Sequence, residues 1–251
     1  MKPRLICFHG SPGVPDEFEP LRTNLAGKVE VLSPVRAGYP GYSGPVGTRP
    51  RDVVLGYSFG CVEAIREAVS QKEIRELILV APYLFPKPVG GLKRLLVGAP
   101  YLGEWLCKKA GSAQIARMLI DSSFPCEVPD AYRRAGEEMR HPGSLRRSVL
   151  EKVIDETEIA ALFEAVVESK IPVAVVWGEQ DKTIRETDQL GRLRRVLFSA
   201  NKAAGKSDSN EANGPENFLE KSIENAGHAI PWTHARELAA FIFENTLGEK
   251  T

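Results

Sequence analysis

Ser58 lies in Gly56-Tyr57-Ser58-Phe59-Gly60, directly after the apolar run Val53-Val54-Leu55 and directly before a stretch of helix formers, residues 61–71. A sharp turn between strand and helix forces such a serine into a strained backbone that neighbours without a Cβ, here Gly56 and Gly60, can accommodate. The turn lifts the hydroxyl above the sheet edge, and the helix behind it directs N–H groups toward any oxyanion formed there. A serine hydroxyl is a poor nucleophile until a base takes its proton, so the chemistry requires a histidine and a group that orients it. Of four histidines, His228 stands in Glu224-Asn225-Ala226-Gly227-His228-Ala229, just past the last apolar run, where a loop reaches the sheet edge. His9 precedes a glycine loop, His141 sits beside Pro142 in a polar turn, and His234 falls on a helical stretch as a surface residue. The orienting carboxylate comes from Trp177-Gly178-Glu179-Gln180-Asp181-Lys182; Asp181 is preferred and Glu179 is the alternative. A carboxylate there would hold the imidazole in the tautomer that accepts the serine proton.

The elements that must position these groups follow from hydrophobic patterning. Strands are expected at Leu5–Phe8, Val29–Leu32, Val53–Leu55, Ile74–Pro82, Pro172–Trp177 and Phe218–Ile223. Helices are expected at Asp16–Leu25, over residues 61–71, at Thr187–Leu197 and at Pro231–Leu247. Strands alternating with helices give an α/β fold with a doubly wound, mostly parallel sheet of about six strands. Residues 84–168 carry helical stripes (Leu145, Val149, Leu150, Val153; then Ile159, Leu162, Phe163, Val166) and no strand signal. They are read as an inserted helical lid, leaving 1–83 and 169–251 as the core. Ser199–Glu216 is a polar tract of surface-loop or disordered character.

The order Ser58, Asp181, His228, each just past a strand, resembles that of the serine α/β-hydrolases. His9-Gly10-Ser11-Pro12-Gly13 is similar to the family's oxyanion loop, with His9 and Gly10 supporting that motif and Gly56 and Gly60 supporting the nucleophile turn. The resemblance implies that the backbone N–H groups of Ser11 and Phe59 are the oxyanion donors; Pro12 has none to offer. It covers the chain outside the lid, which in this family varies and sets the substrate. Two departures stand out. The oxyanion strand begins at the N-terminus, where the family usually has an antiparallel strand pair first. Between Ser33 and Val53, where members place a helix, this chain is dense in Gly and Pro, and Gly38, Gly41, Gly44 and Gly47 recur at intervals of three. A crossover fits there but a full helix does not. Tyr39, Tyr42 and Val46 would then cover the exposed sheet face, or a second subunit would.

Composition narrows the function classes. Lys plus Arg and Asp plus Glu number 33 each, which gives no general electrostatic case for nucleic acid or an acidic membrane surface. No apolar run approaches spanning length, and the apolar stretch after Met1-Lys2-Pro3-Arg4 is too short for a signal segment. The four cysteines lack paired or metal-ligand spacing, and Cys7 and Cys61 fall in core elements, so they read as buried thiols in a cytoplasmic protein. Neither a metal nor an organic cofactor is implied, and the partner is a small-molecule substrate of a monomer or homodimer. The reading is a serine hydrolase acting on a small or medium carboxylic ester or thioester through an acyl-enzyme. Carbon–carbon bond hydrolysis of a diketone-like substrate is the enzymatic alternative, since relatives with the same triad do that. The oxyanion loop also resembles that of the proline iminopeptidases, although Gly-Tyr-Ser-Phe-Gly is not their usual elbow. A catalytically silent binding protein is the alternative from another class.

Overall fold

The computed structural model describes residues 2–86, 89–151, 155–203 and 218–247. Among these, six strands form one sheet: β1 (Arg4–Phe8), β2 (Glu30–Leu32), β3 (Val53–Tyr57), β4 (Glu76–Val80), β5 (Val173–Gly178) and β6 (Phe218–Ile223). The spatial order is β2-β1-β3-β4-β5-β6 and every neighbouring pair is parallel. All strands therefore end at one edge. The winding direction reverses between β1 and β3, which leaves a crevice at their carboxyl ends, the place where open α/β sheets bind ligands.

The central strands are buried, and apolar after Arg4 of β1 and Glu76 of β4, because both faces are covered. Ile6, Val54, Leu77, Leu79, Val173 and Val175 face α2 (Gly60–Gln71), α7 (Glu156–Glu168) and α9 (Gln189–Ala203). Leu5, Cys7, Val53, Leu55, Ile78 and Val176 face α1 (Glu19–Asn24) and α11 (Ala235–Ile242). Phe18, Leu21 and Leu25 are fully buried, as the Asp16–Leu25 reading required, although the element opens as a 3-10 turn at Pro15–Phe18. The expected helix at Pro231–Leu247 is broken: α10 (Ile230–Thr233) ends at His234, whose extended φ of −131° separates it from α11. His234 is accordingly half-buried at a junction and hydrogen-bonds Thr233, rather than standing on an open helical surface.

Residues 84–168 do not form one unit. Four helices, α3 (Gly91–Gly98), α4 (Leu102–Ser123), α5 (Asp130–Met139) and α6 (Pro142–Leu150), share their own apolar cluster around Ile115, Leu119, Met139 and Leu145. That layer meets the core through Val14, Ala229 and Trp232, and Tyr132 stacks on Trp232 with ring centroids 5.0 Å apart. The second stripe belongs elsewhere. Ile159, Phe163 and Val166 of α7 are fully buried on the sheet between α2 and α9, so the lid reading extends too far toward β5. A helical stripe reports only that a face is buried, not against which layer. Val153 of the first stripe lies outside the described residues. So does most of the polar tract, while its first residues, Ser199 to Ala203, continue α9 instead of forming a loop.

No helix connects β2 to β3. Part of its place is taken by an unusual arrangement on the α2 side of the sheet. Arg4 of β1 is buried there, donates to the Gly47 carbonyl at 3.1 Å and lies 3.6 Å from the equally buried Asp52 carboxylate. Val46 packs against the adjoining core cluster. The covering role expected of the two tyrosines is not theirs: Tyr42 is 43% exposed, and Tyr39 is buried against His9 and Arg36 above the sheet edge. The connection thus uses a charged pair and the Gly47 carbonyl on this face of the sheet.

Removing one partner of a buried ion pair strands the other. Asp52→Ala is therefore expected to lower the unfolding free energy by about 3–5 kcal/mol. Tyr42→Ala, at an exposed position, should change it by less than about 0.5 kcal/mol. Guanidinium denaturation of the two variants checks the ranking.

Candidate active site

Ser58 follows β3 with φ of +53°, in the left-handed region that a residue with a side chain rarely adopts. Its neighbours show why the strain is held. A Cβ on Gly60 would come within 2.2 Å of the Phe8 carbonyl oxygen, and one on Gly56 within 2.4 Å of the Cys61 Cα. The elbow is thus wedged between the end of β1 and the first turn of α2. The Ser58 N–H donates to Val80 at 2.9 Å and its carbonyl accepts from Tyr83 at 3.2 Å, which ties the turn to β4.

The other two expected residues converge on it. His228 Nε2 lies 2.9 Å from Ser58 Oγ, and His228 Nδ1 lies 2.7 Å from Asp181 Oδ2. Asp181 is fully buried, and its second oxygen accepts from the Ile184 N–H at 3.0 Å as the cap of α8 (Lys182–Glu186). An acceptor-only carboxylate on Nδ1 assigns the proton to that nitrogen and leaves Nε2 to accept from the serine. Glu179 points away: it is exposed and accepts from Ser222 at 3.0 Å. Of the two acids, Asp181 is the one that bonds His228.

Close backbone packing sets the distances. The loop after β5 is bonded to the loop after β6 through Glu179 N–H to the Ile223 carbonyl and Gln180 N–H to the Ala226 carbonyl. Gly178 and Gly227 leave no room for a Cβ, which would meet the Ala226 carbonyl at 2.3 Å and the Phe124 carbonyl at 2.1 Å respectively. The Ala229 N–H donates to Ser122 of α4, so the histidine loop is also anchored to the helical layer.

The loop after β1 is held by a polar network that sequence reasoning did not find. His9 is fully buried; its Nδ1 bonds the Gly10 carbonyl at 3.0 Å and its Nε2 accepts from the Arg36 N–H at 3.1 Å. Burial, assisted by the Arg36 charge, lowers its pKa to about 3, so it is a neutral structural group. The Arg36 guanidinium donates to the His9 and Gly10 carbonyls at 3.3 and 3.0 Å and pairs with Glu151 at 2.7 Å. Burial opposes its charge, but Glu151, Tyr39 and Glu63 outweigh this and hold its pKa above the usual arginine value. Ser11 donates its hydroxyl to Glu151 and accepts from the Tyr39 hydroxyl at 2.8 Å. The Gly10 N–H is taken by Glu17, at 2.8 Å. These partners carry no local signal: Arg36 sits in loop sequence, and Glu151 is far along the chain. Glu17 had one, being a carboxylate directly beside a buried Phe18.

Above Ser58 and His228 is a cavity of about 360 Å³, walled by Ser11, Glu17, Ser58, Arg117, Asp121 and His228 among others. Ser58 is 8% exposed and the His228 side chain 12%, so both reach solvent only through this space. Among protein families, the model described as the alpha/beta hydrolase family matches residues 9–241 of the chain. The chain belongs to the alpha/beta hydrolase family.

No curated protein matches its sequence. Solved structures do match this hydrolase-family chain in fold. An alpha/beta hydrolase fold protein from Burkholderia ambifaria aligns with a TM-score of 0.65 at 15% identity, over 98% of this chain and 91% of that one. A carboxylesterase from Bacillus subtilis aligns with a TM-score of 0.62 at 12% identity, over 100% and 85%. An esterase from Thermogutta terrifontis aligns with a TM-score of 0.62 at 16% identity, over 97% and 89%. No described helix is long and apolar enough to cross a membrane.

Glu17 gives a pH prediction. Burial raises its pKa to about 8, against the pull of the Gly10 and Val14 N–H groups. The folded state therefore keeps a proton that the unfolded chain releases, so this residue's contribution to stability declines as pH rises from the ordinary carboxyl range through about 8. Glu17→Gln should remove that decline and be the more stable form above it, by on the order of a few kcal/mol. Melting curves of both proteins across pH check this. The difference between them isolates Glu17 from His9, whose contribution is instead lost on acidification.

Proposed function

We propose that this protein is a serine hydrolase acting on a carboxylic ester or thioester. The observation that carries the reading is the chain of hydrogen bonds from Ser58 through His228 to Asp181, with the serine in a left-handed elbow on the wall of a cavity. In the reaction proposed, Ser58 Oγ attacks the carbonyl carbon as its proton passes to His228 Nε2. Asp181 stabilises the imidazolium that results. The tetrahedral oxyanion is met by the backbone N–H groups of Phe59 and Ser11, each such donor contributing about 3–4 kcal/mol in comparable sites. His228 returns the proton to the leaving alcohol or thiol, giving an acyl-Ser58 ester. Water then attacks that ester, His228 takes its proton, and the carboxylic acid departs with Ser58 restored. None of these steps calls for a metal or an organic cofactor.

The polar network fits this role. Arg36, His9 and Glu17 fix the backbone of Gly10, and so the direction of the next N–H, at Ser11. Helices α3 to α6 serve as the lid that shapes the substrate space. The esterases named above lend the ester class its support, as proteins of the same fold.

A fluorophosphonate probe should label the wild-type protein and fail to label Ser58→Ala, which should also lose all hydrolysis of nitrophenyl esters while keeping its melting temperature. Labelling of the variant would remove Ser58 from the role. Asp181→Asn should lower kcat by about four orders of magnitude, the cost of the wrong imidazole tautomer. Glu179→Gln should leave turnover nearly unchanged.

A further inference from the structure

Gln114 of α4 lines one side of the space above Ser58. A second cavity of about 340 Å³ opens beside the same residue, between α3, α4 and α6, walled by Leu96, Val97, Cys107, Leu145 and Val149. The two are related through α4. Positions 107, 110, 111 and 114 line the second cavity, and 114, 117, 118 and 121 line the first. At about 100° per residue these positions fall in one sector of the helix, so one face of α4 lines both spaces. At about 1.5 Å per residue the stretch from Cys107 to Asp121 is about 21 Å long.

The wall changes chemistry along that length. Near Ser58 it carries Arg117, Asp121 and Ser122; past Gln114 it carries Gly111, Ala110, Cys107 and Leu106. Gly111 contributes to the narrow floor, because a Cβ there would lie 2.3 Å from Leu145 Cδ1. Lys93 is the one charged side chain on the second cavity's wall, and it is exposed. An apolar compartment that shares Gln114 with a polar one holding a nucleophile suits a molecule with an acyl carbonyl at one point and a flexible hydrocarbon chain leading away from it.

We propose that the second cavity is the acyl-chain subsite of the Ser58 cavity, and that the substrate is an ester or thioester of an unbranched, medium-length fatty acid. The chain lies along α4 past Gln114, with its carbonyl carbon at Ser58 and its tail against Val97, Leu145 and Val149. This rests on the hydrolase reading of Ser58.

The test compares nitrophenyl acetate, butyrate, octanoate and dodecanoate on the wild-type protein and on two variants that fill the second cavity from different helices, Ala110→Phe and Val149→Phe. Burial of each added methylene is worth up to about fourfold in kcat/KM. The octanoate-to-acetate ratio should exceed one by at least about tenfold in the wild type and fall by at least about tenfold in either folded variant. In parallel, calorimetry follows dodecanoate binding to Ser58→Ala with and without Ala110→Phe or Val149→Phe, and the filling substitution should abolish it. Esters hydrolysed without a rise toward octanoate, or a ratio that both filling variants leave unchanged, would overturn the subsite and leave the hydrolase reading intact. If no ester is turned over, the hydrolase reading falls; dodecanoate binding that the filling substitutions remove would still establish the chain site, and absence of binding would overturn it.

Discussion

Ser58 is held in a backbone conformation that is costly for any residue with a side chain, and the upper edge of the sheet is built to hold it there. The constraint is steric. Gly60 lies so close to the Phe8 and His9 carbonyls that the first turn of α2 is pressed directly onto the end of β1. That approach brings two loops from strands on either side of the winding reversal to one point. It also makes the loop after β1 a structural partner of the elbow, so any slackness there would be felt at Ser58.

The loop after β1 is short of ordinary means of support. It contains Pro12 and two glycines, and no helix lies between β2 and β3. Support comes from a cation instead. Arg36, buried under Tyr39 and against Phe59, gathers the His9 and Gly10 carbonyls and is balanced by Glu151 from the far end of the helical layer. A buried guanidinium is tolerable because its donors meet fixed acceptors in a planar fork. The same economy appears lower in the sheet, where Arg4, Asp52 and the Gly47 carbonyl occupy space that an apolar helix face would fill. Polar pairs of this kind are sensitive to the loss of one member, and here they link the site to segments far apart in sequence.

The helical layer contributes to the site in two ways. Its C-terminal segment supplies Glu151 to the network, and the end of α4 binds the histidine loop through Ser122. The layer is therefore part of the framework that sets the His228 position as well as a wall of the cavity. Beside these polar links, the layer meets the core through the apolar Tyr132–Trp232 stack and Val14.

Much of this was legible from sequence because local chemistry demanded it. Gly56-Tyr57-Ser58-Phe59-Gly60 between an apolar run and helix formers specifies a strand, a strained turn and a helix, whatever surrounds them. The apolar runs specify buried parallel strands, and the positions of Asp181 and His228 just past two of them lead to the same sheet edge. What sequence left open was decided by packing between distant parts. Asp181 is preferred over Glu179 in the sequence, but the contact itself depends on which carboxylate the backbone buries beside His228 and caps onto α8. The stripe of Ile159, Phe163 and Val166 guarantees a buried face, but only the three-dimensional arrangement directs α7 onto the sheet rather than into the layer above it. Tyr39 was visible as a large side chain in need of a partner, and its partners His9, Ser11 and Arg36 come from other turns of the chain. Patterns of spacing encode which faces must be hidden; the partner that hides them is set by long-range contacts that no window of sequence contains.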